Sequence, residues 1–248
     1  MRSLVFASAA ALALCGFAAP AQATTSQVSY GYAWADGSGS LRVVPMTAKL
    51  TKRDGYLFYK LKRVPGAREL KLDYRGAAYT RVTLACDLKE TEGRIAVDRK
   101  GLGKTACKPK DLAATLARGP QAVRVEHSGG KALRVSEFFP AGESKAVTAR
   151  GTLKWVNGNT LLFTANGRTT KLGYTWLTAF SRVTAKCGAG WLTGRPVNAD
   201  RNGLGKKECT GHDLTKVMKK LKYPVLVKVD YLPDSRYVNQ VWEIYGDA

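Results

Sequence analysis

The two histidines are the natural candidates for acid–base chemistry, since an imidazole titrates near neutral pH. The sequence contains only His127 and His212. A hydrolase would need one of them beside a nucleophilic serine or cysteine, oriented by a third group. Neither histidine belongs to such a pattern, and the duplication described below places Tyr231 and Lys110 at the matching positions. The sequence therefore predicts that the protein is not an enzyme.

Cysteines offer a second kind of chemistry, either metal binding or disulfide formation. Zinc sites are typically built from Cys-x-x-Cys pairs with further cysteines or histidines, and this sequence has no such pair. We therefore expect neither a metal nor another cofactor. An even number of cysteines in an exported protein predicts disulfides. The cysteines that follow the N-terminal segment are Cys86, Cys107, Cys187 and Cys209.

Two glycine-containing segments, 98–103 and 200–205, share the pattern Asp-Arg-x-Gly-Leu-Gly. They have a faint similarity to calcium loops, but calcium needs several oxygen ligands, and here Arg, Lys and Leu occupy the intervening positions. The glycines precede Lys104 and Lys206, which could contact a phosphate, although the pattern is not a Walker loop. A backbone turn in which glycine supplies a positive φ is the better interpretation.

An internal duplication organises these motifs. RVTLAC at 81–86 recurs as RVTAKC at 182–187, and VDRKGLGKTAC at 97–107 recurs as ADRNGLGKKEC at 199–209. Further upstream, 71–74 matches 171–174 and 39–42 matches 151–154. Because equivalent cysteines recur in both copies, the expected disulfides are Cys86–Cys107 and Cys187–Cys209.

Each copy predicts an α+β fold. Two Asn-Gly pairs between β-forming residues at 154–170 predict hairpins, and 180–186 predicts another strand. Asp213 is expected to cap a helix whose apolar positions are Leu214, Val217, Met218 and Leu221, and 110–118 predicts its counterpart. Strands follow at 225–229 and 237–245. The fold class is thus two similar domains, each an antiparallel sheet covered by one short helix and stapled by one disulfide.

The N-terminal segment has the features of a secretory signal peptide. Arg2 precedes an apolar run over 4–14, and Ala21-Gln22-Ala23 supplies the small residues of a cleavage site. The run is too short for a membrane span. We therefore expect a secreted, extracellular protein with a signal peptide at 1–23, a first domain at 24–140, a linker at 141–150 and a second domain at 151–248.

The charge is strongly positive. Its formal value of +21 becomes +20 once Arg2 is removed with the signal peptide. Such a charge favours anionic partners such as nucleic acid or an acidic envelope polymer, but it is also compatible with mere solubility in a charged cell wall. Aromatic residues interleave with the cations, as on platforms that stack sugars or bases. Ordinary sheet faces have the same composition, and base rates favour that interpretation.

The cysteine motifs carry a resemblance to a known family. RVT-x-x-Cys at both copies, Gly194-Arg195-Pro196, and the proline-led strand 224–230 followed by 238–246 are similar to the Streptomyces-type subtilisin inhibitors. The resemblance covers most of the mature chain, with the second copy matching best. It implies two inhibitor-like domains that bind secreted serine proteases through an extended, substrate-like loop.

The resemblance also implies where that loop would lie. Counting back four residues from Pro120 and Pro224 places the scissile bonds at Leu116-Ala117 and Lys220-Leu221, with Arg118 and Lys222 chosen in a shifted register. Leu suits a subtilisin-like pocket and Lys a trypsin-like one. The predicted helices run through Leu116 and Lys220, however, and the family's second disulfide has no counterpart here. The alternative function is therefore a non-enzymatic basic protein that binds an anionic cell-envelope polymer or nucleic acid.

Overall fold

A computed structural model describes residues 25–87, 94–192 and 196–245. The predicted signal peptide lies outside the described residues, as do Gly194 and Arg195 of the proline-turn motif and Gly246 at the end of the last predicted strand. The described chain forms a nine-stranded and a seven-stranded sheet. Each sheet carries one disulfide, which is consistent with two similar domains. We call them the first half and the second half.

The first half contains β1 to β9 and one helix, α1. The bounds are β1 Gln27–Ala35, β2 Ser40–Val43, β3 Met46–Arg53, β4 Tyr56–Arg63, β5 Leu70–Asp73, β6 Ala78–Arg81, β7 Thr105–Cys107, α1 Pro109–Leu116, β8 Gln121–Ser128 and β9 Lys131–Glu137.

The second half contains β10 to β16 and the helix α2. The bounds are β10 Val147–Asn157, β11 Thr160–Ala165, β12 Arg168–Gly173, β13 Ala179–Arg182, β14 Lys207–Cys209, α2 Gly211–Met218, β15 Val225–Leu232 and β16 Tyr237–Glu243. The predicted hairpins at the two Asn-Gly pairs are confirmed as β10–β11 and β11–β12. Asn166 and Gly167 both have positive φ, 49° and 71°, as a tight hairpin turn of this twist requires.

In each half, five strands close into a ring. In the second half β10 pairs with β11 and β15, β11 pairs with β12, β15 pairs with β16, and the single bridge Gly173↔Tyr237 joins β12 to β16. In the first half Asp73↔Lys131 closes the equivalent ring of β1, β2, β5, β9 and β8. The apolar side chains inside each ring pack with the adjoining helix into one core.

The expectation of purely antiparallel sheets is wrong at the closing strands. β9 runs parallel to β5 and β6, and β16 runs parallel to β12 and β13. Parallel strands need a long crossover. Here the crossover from β13 to β16 contains the disulfide loop, β14, α2 and β15, so neighbours in the sheet are distant in sequence.

The two short helices lie where the periodicity predicts them. Leu214, Val217 and Met218 of α2 are buried, as are Leu112 and Leu116 of α1. The N-cap of α2 is Thr210, not Asp213: the Thr210 hydroxyl accepts from the Asp213 N–H, and the Asp213 carboxylate accepts from the Thr210 N–H at 3.0 Å. The backbone hydrogen bond from Thr210 holds the pKa of Asp213 below its ordinary value.

The first half has an extra hairpin with no counterpart in the second. β3 and β4 pair along their whole length, from Met46↔Arg63 to Arg53↔Tyr56. One hairpin face folds onto the outer side of the β1–β8 ring, where it forms a second small core with Tyr32, Ala122 and Phe138. The other face presents Lys49 and Lys60 to solvent, directly opposite each other. The outer side of the first sheet is therefore covered.

The strand register does not support one of the sequence matches between the two copies, that of 39–42 with 151–154. Gly151 lies opposite Val227 on β15, and Gly31 lies opposite Val123 on β8. Segment 39–42 instead belongs to β2, which lies between β1 and β5, whereas 151–154 belongs to β10. By strand pairing, β1 corresponds to β10 and β2 to β11, because the extra hairpin shifts the spacing in the first half. β10 also begins at Val147, within the predicted linker 141–150.

Candidate functional site

The first-half residues expected in a reactive loop lie at the end of α1. Leu116 is fully buried, and Ala117 has helical backbone angles, with φ −66° and ψ −22°. The Ala117 N–H donates to the Ala113 carbonyl, and the exposed Arg118 donates its N–H to Thr115. An extended substrate-like backbone is thus not formed at Leu116–Ala117.

The second-half candidates follow α2 in the same way. Lys220 and Leu221 donate their N–H groups to the carbonyls of Val217 and Met218, at 3.2 and 3.1 Å, so they continue a helical turn. Leu221 packs against the core. Lys222 is exposed and stands in a bend before the exposed Tyr223. Of the second-half candidates, Lys222 is the one whose backbone has left the helical turn and whose side chain is in solvent.

The expected disulfides Cys86–Cys107 and Cys187–Cys209 are both formed. An aspartate on each helix, Asp111 or Asp213, lies close to the sulfurs and completes a group of potential metal ligands. The sulfurs are engaged in disulfides, however, and a metal needs thiolates. These groups therefore serve as staples between the loop and the helix.

The Asp-Arg-x-Gly-Leu-Gly segments are backbone turns, as predicted. The Asp200 carboxylate accepts from the N–H groups of Asn202 and Leu204, both at 2.8 Å, and Asp98 does the same for Lys100 and Leu102. Gly101 and Gly203 have φ of 74° and 73°. In each segment the Oδ1 atom of the aspartate is therefore committed to the backbone of its own turn.

Buried ion pairs hold both disulfide loops. Arg182 and Glu243 are fully buried, with Nε–Oε2 at 3.1 Å and Nη2–Oε1 at 3.0 Å. Arg182 also donates to the carbonyls of Cys187, Ala189 and Gly190, and Glu243 accepts from the N–H groups of Val183 and Leu192. Arg81 and Glu137 form the corresponding pair in the first half. Sequence reasoning missed these pairs, although the arginine of each RVT motif is a visible signal.

The histidines have separate environments. His127 is 6% exposed, and its Nε2 lies 3.0 Å from the Ser29 hydroxyl across β1 and β8. His212 is exposed on α2. His127 therefore has a structural contact, a hydrogen bond between the side chains of the paired strands β1 and β8.

A row of side chains crosses the outer face of the second sheet, the face turned away from α2. Register places the following residues opposite one another in succession on β10, β15, β16, β13 and β14: Arg150, Lys228, Trp242, Ser181 and Glu208. We call this the outer row. Like charges directly opposite on a sheet are destabilising, and Arg150–Lys228 is such a pair, as is Lys49–Lys60 on the extra hairpin.

The two cations of the outer row have no carboxylate partner among the described residues. The Lys228 ammonium lies 5.2 Å from the centre of the Trp242 ring, an attractive cation–π geometry. The nearby Asp230 is occupied elsewhere: it accepts from the Thr148 hydroxyl at 2.7 Å and the Asn239 amide at 2.8 Å. The positive charge of the row is therefore available to a ligand.

The first half shows the opposite arrangement at the equivalent row, where Arg124 occupies the place of Lys228. Arg124 is paired with Glu126, and this hydrogen bond keeps the pKa of Glu126 below its ordinary value. Tyr30 lies opposite Arg124, and the extra hairpin adds Tyr59 beside Tyr30, with ring centres 5.5 Å apart. In the first-half row the arginine is thus paired with a carboxylate and Tyr59 of the extra hairpin packs beside Tyr30, whereas the two cations of the second-half row have no carboxylate partner among the described residues.

An open cleft continues the outer row at the β13–β14 end. It has a volume of about 730 Å³, and its lining includes Trp176, Leu177, Trp242 and Lys206 together with the carboxylates Asp200 and Glu208. Trp176 is 51% exposed and Leu177 is 56% exposed. Most other aromatics that interleave with cations in the sequence are buried or half-buried, as expected of sheet residues. Exposed indole rings beside unpaired cations can stack on flat rings while the cations contact anionic groups.

Two further findings complete the description of the site. Within the described residues, no helix is long and apolar enough to cross a membrane. Comparisons with family models, with curated proteins and with solved structures found no match.

Proposed function

We propose that the protein is a non-enzymatic binding protein for an anionic polymer of the cell envelope, and that the outer row with its cleft is the binding site. One observation carries the proposal: the like-charged pair Arg150–Lys228, which has no carboxylate partner among the described residues, lies beside the Trp242 ring, and that ring lines an open cleft. A repeating anion would relieve their repulsion.

The recognised chemistry follows from the side chains. Cations at one end of the row would contact carboxylates or phosphates, and Trp176 and Trp242 would pack on the apolar faces of sugar rings. We take an acidic polysaccharide as the polymer class, since the predicted export signal and the two disulfides favour an extracellular location. The proposed duplication would then have produced one half that binds and one that is covered by its own hairpin.

The double charge reversal R150E/K228E is expected to weaken binding of polygalacturonate by at least ten-fold. Its matched control is K49E/K60E, which reverses the like-charged pair on the extra hairpin and changes the net charge equally. Binding is measured by titration of tryptophan fluorescence at several salt concentrations. The slope of log affinity against log salt should become shallower only in R150E/K228E, because fewer ion contacts are made.

Equal loss of affinity in both double variants would contradict the proposed site, since it would show attraction by net charge alone. Tighter binding of a single-stranded oligonucleotide than of polygalacturonate, with the same dependence on Arg150 and Lys228, would keep the site but overturn the polymer class. Trp242→Ala provides a charge-neutral test of the stacking surface.

A secreted serine protease inhibitor is the second candidate, and the exposure of Lys222 in its bend is the observation that favours it. Because the preceding residues form a helical turn, we expect trypsin at a ten-fold molar excess of this protein to keep its activity. The measurement is hydrolysis of a chromogenic substrate, with K222Q as the control. Stoichiometric inhibition that K222Q abolishes would establish the inhibitor and contradict this expectation.

A further inference from the structure

A small cavity lies in the contact between the two halves, apart from the outer row. It has a volume of about 20 Å³, and it is lined by Tyr32, Trp34, Arg42, Val44, Glu69, Asp234, Ser235 and Arg236. A cavity of this size holds one particle as large as a water molecule. The surrounding contact is tight: the Trp34 indole N–H donates to the Ser235 carbonyl at 2.8 Å, and the Trp34 ring stacks on Tyr237.

The cavity is bordered by hydrogen-bond donors that lack acceptors. The Arg42 side chain is 2% exposed, and only its Nη1 has a partner, Glu69, at 3.3 Å. Among the described residues, Arg42 Nε and Nη2 have no acceptor, and neither does the hydroxyl of Ser235, which is 2% exposed. Leaving such groups unsatisfied in a buried place destabilises the fold. Arg42 belongs to the first half and Ser235 to the second, so one acceptor could serve both.

Of the charged side chains around the cavity, one cation has no ion pair among the described residues. Glu69 is shared by Arg42 and Lys171, Asp36 pairs with Lys71, and Asp234 lies 3.7 Å from Arg63. Asp234 also accepts two hydrogen bonds from Ser144, and Glu143 lies near the Tyr32 hydroxyl, whose pKa is raised by burial and then by that carboxylate.

Arg236 is the cation that remains. It makes no ion pair among the described residues; burial lowers its pKa, repulsion from Arg63 and Arg42 adds to this, and attraction to Glu69 opposes it. Several donors that lack acceptors, beside a guanidinium without an ion pair, favour an anion over a water molecule. An anion only accepts hydrogen bonds, whereas a water molecule also has two hydrogens that need acceptors.

We propose that this cavity is a binding site for a single monatomic anion, with chloride as its physiological ligand. The anion would accept from Arg42 and Ser235 and neutralise Arg236, so that it fixes the two halves relative to each other. The site is independent of the proposed polymer binding, because no residue of the outer row lines it.

Crystals of the protein grown or soaked in sodium bromide test the site directly. We expect an anomalous difference peak of bromide within hydrogen-bond distance of Arg42 and Ser235. Ordered density without anomalous signal at this position, while bromide is visible elsewhere on the surface, would show a water molecule and overturn the proposal.

Thermal unfolding gives an independent readout in solution. The unfolding temperature should rise saturably with sodium chloride and not with sodium gluconate at equal ionic strength, because a ligand of the native state stabilises it. R236N should lose this difference. Asn tolerates the positive φ of 60° at this position, so the backbone need not change. R201N removes an exposed arginine and should keep the chloride response; identical curves in both salts for the unmodified protein would overturn the proposal.

Discussion

Replacing Glu243 with glutamine is expected to lower the free energy of unfolding of the second half by about 3–5 kcal/mol. The substitution keeps the shape of the side chain but leaves Arg182 as an uncompensated charge with no exposed surface. It also weakens the acceptors for the Val183 and Leu192 N–H groups. Since whole domains are stable by only about 5–15 kcal/mol, this loss should be visible as early unfolding of one half.

Urea unfolding followed by tryptophan fluorescence measures this effect. The matched control is E208Q, the same change at an exposed glutamate of β14, which should alter stability by less than about 0.5 kcal/mol. The double variant R182M/E243M removes both charges but leaves the loop carbonyls bound by Arg182 and the N–H groups bound by Glu243 without partners, so we expect it to stay less stable than the unmodified protein. If E243Q proved as stable as E208Q, the pair would not be the buried anchor of the disulfide loop that the contacts indicate.

Removal of the second disulfide by C187S/C209S is the other change with a large expected effect. The bond joins cysteines separated by 22 residues, and closure of a loop of this length contributes about 3 kcal/mol in the chain-entropy model. The carbonyl of Cys187 also accepts from Arg182 at 2.8 Å. Loss of the disulfide therefore releases the loop that begins at Cys187 from Cys209, while Arg182 still binds the carbonyl of Cys187.

The disulfide and the ion pair should consequently couple. Calorimetry of C187S/C209S, E243Q and their combination forms a cycle, and we expect the combined loss to differ from the sum by more than about 0.5 kcal/mol. C86S/C107S provides the comparison in the first half, where the equivalent pair is Arg81–Glu137. Strict additivity in the second half would contradict a shared structural role.

Local signals predicted much of this structure. The Asn-Gly turns, the apolar spacing of α2 and the repeated cysteines each depend on residues close in sequence or on the duplication itself, and each appears where expected. The parallel closure by Gly173↔Tyr237 did not follow from the sequence, because a single bridge between distant strands leaves no periodic pattern.

The extra hairpin and the candidate site were missed for different reasons. Asp54-Gly55 is a strong turn signal, with φ of 51° and 83°, but it has no counterpart in the second copy and so falls outside an interpretation built on the repeat. Arg150, Lys228 and Trp242 are far apart in sequence and meet only through strand register. A ligand can reach these three side chains because no hairpin covers the outer face of the described second sheet, and the amino-acid composition cannot show this.

Closure of the five-strand rings limits how a partner can approach. A sheet with a free edge can accept an extended peptide through its backbone, and the same edge also promotes self-association. In the described part of each ring, every strand has neighbours on both sides, and the β4 edge of the extra hairpin is hydrogen-bonded to Phe139 and Ala141. The edge strands β7 and β14 have three residues each and end at a disulfide. Strand addition is thus left to these short segments and to the β4 edge on either side of Tyr59, so a partner of the rings themselves must be selected by side chains on a closed surface.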